Sequence, residues 1–285
     1  MKQYYERFRW PEGKKCAAMI SVNLEAEYFA KMYYSDIDVD EGGIKLMGAN
    51  GMKHGLPRIL DVLDAYDVKA TFFVPADIVN RYPDAVRSVV ARGHEIACHG
   101  YKHENLAFMS IDEQRQVLKE ARRLLSSAAG REIEGFRMPE GEMTNATLQV
   151  VKELGFKYSS SLNNDDIPYI REPAGLLELP LNWGLYDLPY FVFNFDPPIP
   201  YGQSRIACVD KVLENWKIEL QAAREWNTLY VLQIDPQATG EQGRIFMLEA
   251  ILDEIREAND VWAATGSEIA AYCEKSVFGQ QNKRA

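Results

Sequence analysis

His99 and His103 stand four residues apart in the run Gly93-His94-Glu95-Ile96-Ala97-Cys98-His99-Gly100-Tyr101-Lys102-His103. They are two of only 4 histidines in the chain. Imidazole is the commonest protein ligand for a catalytic metal, and it carries protons near neutral pH. Residues four apart share one face of a helical turn, so both rings could address one atom. The spacing alone is a weak signal, and a strand-end histidine beside a surface one explains it equally well. Its neighbours in the sequence strengthen the chemical reading. Asn23, Glu25 and Glu27 follow one apolar run, Arg137 and Glu142 another, Asp165 and Asp166 a third, and Asp235 a fourth. A carboxylate with two imidazoles supplies three protein ligands and leaves positions open, the usual composition of a hydrolytic metal site. Such a metal would polarise a carbonyl or acidify a water. Without one, the same groups could act as a general base and as oxyanion donors.

Those side chains meet only if the runs before them are strands ending at one rim. Short apolar runs over 17–22, 70–74, 95–99, 135–139, 158–162, 176–180, 228–234 and 261–265 are each expected to be strands. Helical patterns fall between most of them, over 56–66, 76–92 with a break at Pro83, 110–129, 144–154, 208–226, 244–259 and 267–275. Ser110 and Glu113 form a capping-box pattern, and Gly130 is placed to stop that helix. This alternation predicts an α/β fold with a parallel sheet, whose chemistry belongs at the carboxyl ends of the strands. Its even spread suits a closed or nearly closed barrel, with an open doubly wound sheet as the alternative. We expect one domain over 1–285, carrying a long loop over 27–55 and an irregular proline-rich segment over 188–205. Asp36, Asp38 and Asp40 imitate the start of a calcium loop, but Met47 stands where its closing glutamate belongs.

The chain has 285 residues, 47% hydrophobic and 26% charged, enough for a full core. A net charge of −10 argues against nucleic acid or an anionic membrane as partner. No apolar run approaches a membrane span. The charged, aromatic start from Met1 to Trp10 is unlike a signal peptide. Cys16, Cys98, Cys208 and Cys273 are widely spaced, so reduced thiols and a cytoplasmic setting are expected.

Further motifs carry a resemblance. They are Ala70-Thr71-Phe72-Phe73-Val74, the histidine run, Phe136-Arg137-Met138-Pro139-Glu140-Gly141, Gly155-Phe156-Lys157-Tyr158, Asp165-Asp166-Ile167-Pro168-Tyr169, and Val261-Trp262-Ala263-Ala264-Thr265-Gly266. In this order they resemble the polysaccharide deacetylase superfamily, the carbohydrate-esterase type with the NodB-homology domain, from about Trp10 to Tyr272. The resemblance implies an irregular (β/α)7 barrel, cleavage of C–N bonds, and commonly a zinc or similar divalent metal. The chain is most similar to a cytoplasmic branch with allantoinase-like, cyclic-imide-hydrolase-like and peptidoglycan-deacetylase-like members. Similar proteins form homo-oligomers, commonly tetramers.

Carried over residue by residue, the resemblance implies Glu25, His99 and His103 as metal ligands and Asn23, Glu25 and Asp235 as catalytic positions. Around a small-molecule substrate it implies Glu27, Arg137 (positioning a carboxylate), Asp166 (orienting Arg137 or touching substrate) and Trp183 (an aromatic wall). Two positions depart from the pattern. Sugar deacetylases carry an Asp base followed closely by an Asp ligand, where this chain has Asn23 and Glu25. Their late-strand histidine is replaced by Asp235. Asparagine takes no proton near neutral pH, and a carboxylate serves as an acid only if burial or a nearby anion raises its pKa. These departures favour a small cyclic amide, imide or ureide as substrate. N-deacetylation of an acetylated sugar, or a non-catalytic binding protein on the same barrel, are the alternatives.

Overall fold

The computed structural model describes residues 4–5, 8–30, 43–140, 143–192 and 207–278. Its sheet is organised around β1, Cys16–Asn23, in which every residue is buried. A strand buried on both faces is expected where helices cover one side and a closed interior lies on the other. The alternation bears this out. Cys16, Ala18, Ile20 and Val22 join the layer beneath the helices, while Ala17 and Met19 pack inside with Phe73, Ala97, Tyr158 and Val231.

The other strands are β2 Thr71–Val74, β3 Glu95–Cys98, β4 Gly135–Phe136, β5 Tyr158–Ser159, β6 Tyr169–Arg171, β7 Leu176–Glu178, β8 Leu229–Ile234 and β9 Val261–Ala263. They run in the order β6-β7-β5-β4-β3-β2-β1-β8, and β9 also pairs with β1. All pairs are parallel except β6 with β7. Between β7 and β8 the wall is completed by a single bridge from Tyr186 to Gln233. The sheet therefore curls into the irregular barrel expected of a NodB-type deacetylase.

Several expectations need correction. β6 was not anticipated: it is three half-buried residues, too short to show an alternating pattern. The long loop over 27–55 contains regular structure, a 3-10 turn Ala26–Ala30 and a helix Gly43–Asn50. Gly48 lets that helix lie on the first turn, since a Cβ there would come 2.5 Å from the Ala26 carbonyl oxygen. The proline-rich segment opens with a helical turn, Leu188–Phe191, with Pro189 in its first turn where no N–H is needed. Asp36, Asp38, Asp40, Glu142 and most of segment 188–205 lie outside the described residues. The Ser110 capping box and the left-handed Gly130 bound the helix Ile111–Ala129. All four cysteines are free thiols. Among the described residues, no helix is long and apolar enough to cross a membrane.

Candidate metal and active site

The two histidines meet by a different route from the helical turn their spacing suggested. His99 directly follows β3, and the chain turns sharply through Gly100 at φ +75° and His103 at φ +57°. A Cβ on Gly100 would press on Pro139 Cγ at 2.9 Å. Positive φ is uncommon for a residue with a side chain and marks a place where local strain is tolerated. Glu104 braces the turn by accepting from the backbone N–H of Tyr101 at 2.9 Å and of Lys102 at 2.7 Å. The rings end with centroids 4.9 Å apart, nearly edge to face.

Glu25, just past β1, completes the group. Its Oε1 lies 3.0 Å from His99 Nε2 and 3.4 Å from His103 Nε2, and all three side chains are buried. Their ligand atoms fall within 4.8 Å of one another, the only such trio of His, Cys, Asp or Glu among the described residues. The outer ring nitrogens decide what this geometry means. His99 Nδ1 sits 3.0 Å from the Arg137 carbonyl oxygen, which can only accept, so Nδ1 carries the proton. His103 Nδ1 faces Glu140 Oε1 at 3.4 Å. With its Nδ1 protonated, His99 turns an Nε2 lone pair toward a carboxylate oxygen, an approach that a cation between them would stabilise. Ligands about 2.1 Å from a tetrahedral zinc stand roughly 3.4 Å apart, close to these spacings. Imidazoles whose second nitrogen is held by a carbonyl or carboxylate are the usual arrangement around a metal. The donor set therefore fits a divalent cation.

The electrostatics agree. Burial alone would raise the Glu25 carboxyl, but the two facing imidazoles, His103 foremost, hold it below the usual carboxylate range. Burial opposes charging His103, yet Glu25 and Glu140 overcome it and lift that ring to about 9. His99 is lowered, by burial and by the neighbouring His103 charge.

Asn23 occupies the end of β1 beneath this group. Its Oδ1 accepts from Arg137 Nη1 at 2.8 Å, and its Nδ2 donates to Tyr186 Oη at 3.4 Å. Arg137 is 3% exposed, and Nε, Nη1 and Nη2 all donate to protein atoms on Ser21, Asn23 and Ser160. Its guanidinium also stacks 3.8 Å from the Phe73 ring centroid. The expected carboxylate partner is thus an amide, and Arg137 ties the end of β1 to the segment after β5.

Asp235, directly after β8, is fully buried. Its Oδ1 accepts from Gln237 Nε2 at 3.0 Å, and its Oδ2 has no partner. Burial pushes its pKa well above the usual range, and the charges of Glu25 and Asp187 push the same way. Asp187 accepts from the Asp235 N–H at 2.9 Å and from Thr239, and burial raises it to about 6. Burial among these acids therefore favours the protonated form of the Asp235 carboxyl.

The remaining expected residues make the following contacts. Glu27 is engaged by Tyr82 Oη at 2.6 Å and Arg81 at 3.3 Å, bracing the loop after β1. Asp166 does not meet Arg137. It accepts from Tyr5 Oη at 2.6 Å, and its carbonyl takes the N–H of Leu229 at the opposite end of β8. Trp183 is 64% exposed, its ring 6.4 Å from that of Tyr186. Tyr186, Asp187 and Glu140 were missed from sequence, because irregular segments deliver them.

A polysaccharide deacetylase family profile matches residues 38–159. A Mycobacterium smegmatis structure assigned to the polysaccharide deacetylases is 35% identical, covers 96% of this chain and 94% of its own, and superposes with a TM-score of 0.86. The chain belongs to the polysaccharide deacetylase family. A Helicobacter pylori peptidoglycan deacetylase is 27% identical over 244 residues, 76% of this chain and 82% of the relative. An allantoinase of 21% identity shares the deacetylase fold, with a TM-score of 0.80 over 94% of this chain and 93% of its own.

Proposed function

We propose that this polysaccharide deacetylase family member hydrolyses the C–N bond of an amide, and that its substrate class is an N-acetylated amino sugar. One observation carries the reading: Glu25, His99 and His103 bring their ligand atoms within 4.8 Å of one another at the barrel mouth, where the buried Asp235 also lies. The peptidoglycan deacetylase relative supports the sugar over the cyclic amide that sequence reasoning ranked first.

A divalent cation held by these three residues would supply Lewis acidity toward the acyl oxygen and toward water. The protein's own groups do the rest. Water adds to the acyl carbon, the C–N bond breaks, the amine nitrogen takes a proton as it departs, and the proton given up by the water restores the donor. Asp235 is the group disposed to supply the amine's proton, since burial and then the Glu25 and Asp187 charges favour its protonated form, and Asp187 fixes its backbone. His99 and His103 stay oriented by the Arg137 carbonyl and Glu140. Asn23, pinned by Arg137, presents an N–H but accepts no proton from the attacking water.

That last point favours a second reading, hydrolysis of a small cyclic imide or ureide. An imide or ureide nitrogen leaves more readily than a simple amine, so it asks less of proton transfer. The test is a substrate panel with the purified, metal-analysed protein: chitin oligomers and peptidoglycan fragments against cyclic imides and ureides. Acetate release from the sugars supports the first reading. Ring opening alone overturns it in favour of the second, and no turnover on either set removes both.

A further inference from the structure

A second polar cleft lies at the end of the barrel away from the histidines, between the helix Val209–Trp226, the start of β8 and the N-terminal tyrosines. Its volume is about 260 Å3. Leu229 lines it while Asp235 stands at the mouth, so the length of β8, roughly 20 Å at the usual rise, separates the two. Tyr5, Trp226 and Tyr230 give it aromatic walls, and Asp165, Asp166 and Glu219 give it three carboxylates. Among the described residues, no lysine or arginine lines it.

Two observations point to an occupant. Tyr230 is 1% exposed and its hydroxyl has no hydrogen-bond partner, although buried phenols normally find one. The contacts to the carboxylates come from neutral donors: the hydroxyls of Tyr4 and Tyr5 to Asp165 and Asp166, and Asn182 Nδ2 to Glu219 at 3.1 Å. The same three acids do not converge as metal ligands, since only Glu25, His99 and His103 meet that condition among the described residues. A bare metal ion is thereby disfavoured, and a larger organic cation suits both the spread of charge and the aromatic walls.

We propose that this cleft binds a small organic ammonium ion, a protonated primary amine on a compact carbon skeleton. Glu219 and the neighbouring Tyr230 oxygen accept its N–H groups, Asp165 and Asp166 add negative charge farther along the cleft, and the Tyr5 and Trp226 rings cover its skeleton. The proposal is independent of what the histidine site hydrolyses.

Calorimetric titration of the full chain with cadaverine, glucosamine and N-acetylglucosamine tests it and separates a linear amine from an amino sugar. Saturable binding of cadaverine, of glucosamine or of both is expected, whereas any binding of the uncharged N-acetyl form belongs to the histidine site and should not respond to substitutions in the cleft. Glu219→Gln should weaken that binding about tenfold or more, and the near-isosteric Tyr230→Phe several-fold. Neither substitution touches the histidine site, so hydrolytic turnover should not move. Three results would overturn the proposal: no binding of either amine up to about 10 mM, binding of N-acetylglucosamine that both variants weaken as much as they weaken amine binding, or unchanged amine affinity in both variants.

Discussion

At the scale of single residues, the site depends on where protons sit. His103 has a carboxylate at each ring nitrogen, Glu25 on one side and Glu140 on the other. Removing the ring leaves Glu25 and His99 as a two-ligand remnant. His103→Ala should therefore lose stoichiometric metal and at least about a hundredfold in turnover, read by elemental analysis and by assay. Full occupancy with normal turnover would take His103 out of the site. Asp235 tests a separate role. Its pKa is raised by burial and by the Glu25 and Asp187 charges, so the acid form is favoured and activity should fall on the alkaline side as it ionises. Asp235→Asn keeps the shape and removes the proton. Turnover should drop by about 10²–10⁴, and the alkaline limb of the pH profile should vanish with it. An intact alkaline limb would assign that ionisation to another group.

At the scale of elements, the turn after β3 and the strand β7 make opposite kinds of claim. Gly100 is required twice, by its φ of +75° and by Pro139 Cγ 2.9 Å from where a Cβ would stand. Gly100→Ala should destabilise the fold by about 1–3 kcal/mol and weaken metal binding with it, because the turn carries His103. Denaturant unfolding and metal titration on one sample check both; a stability loss with wild-type metal affinity would separate the turn from the site. Glu178 closes β7, fully buried, accepting from the N–H groups of Ser161 and Leu162 at 2.6 and 3.0 Å. Burial lifts it to about 7, so the native state holds a proton that the unfolded chain releases. Its contribution is therefore complete at acidic pH and is lost as pH rises through about 7. Glu178→Gln keeps both accepted bonds, so it should match wild type near pH 4.5 and exceed it at pH 8 by up to about 3 kcal/mol. Parallel stability curves across that range would rule the titration out.

Long apolar runs and caps were the legible part of this architecture. The buried strand β1 and the Ser110–Gly130 helix boundaries were readable because each rests on local chemistry. The convergence of Glu25 with His99 and His103 was readable as composition, but not its geometry: nothing in a four-residue spacing announces two left-handed residues. Asp166 misled because a strand-end acid looks alike at either rim, and only the paired β8 shows which rim it joins. Tyr186 and Asp187 were invisible for the converse reason, since the single bridge that seats them beside β8 has no periodicity.

At the scale of the whole molecule, the barrel has two polar ends with an apolar interior between them. The mouth gathers Glu25, His99, His103 and Asp235. Near the other end, Glu95 at the start of β3 is 3% exposed and accepts from Thr71 Oγ1 at 2.8 Å, Tyr158 Oη at 2.8 Å, and the N–H and hydroxyl of Ser267. Ser267 opens the helix Gly266–Tyr272, so this one carboxylate ties the C-terminal helix to β2, β3 and β5. Barrels of this kind commonly assign chemistry to the carboxyl ends of the strands and stability to the amino ends. Glu95→Ala would strand several buried donors at once, at about 1–3 kcal/mol each before relaxation, so a total loss of roughly 3–5 kcal/mol is expected. The site lies beyond the other end of β3, roughly 13 Å away. Metal affinity of the folded variant should therefore stay within about threefold of wild type, since sites more than about 10 Å apart without shared partners act nearly independently. If affinity falls in step with stability, the two ends are one cooperative network, and the division of labour along the barrel is wrong.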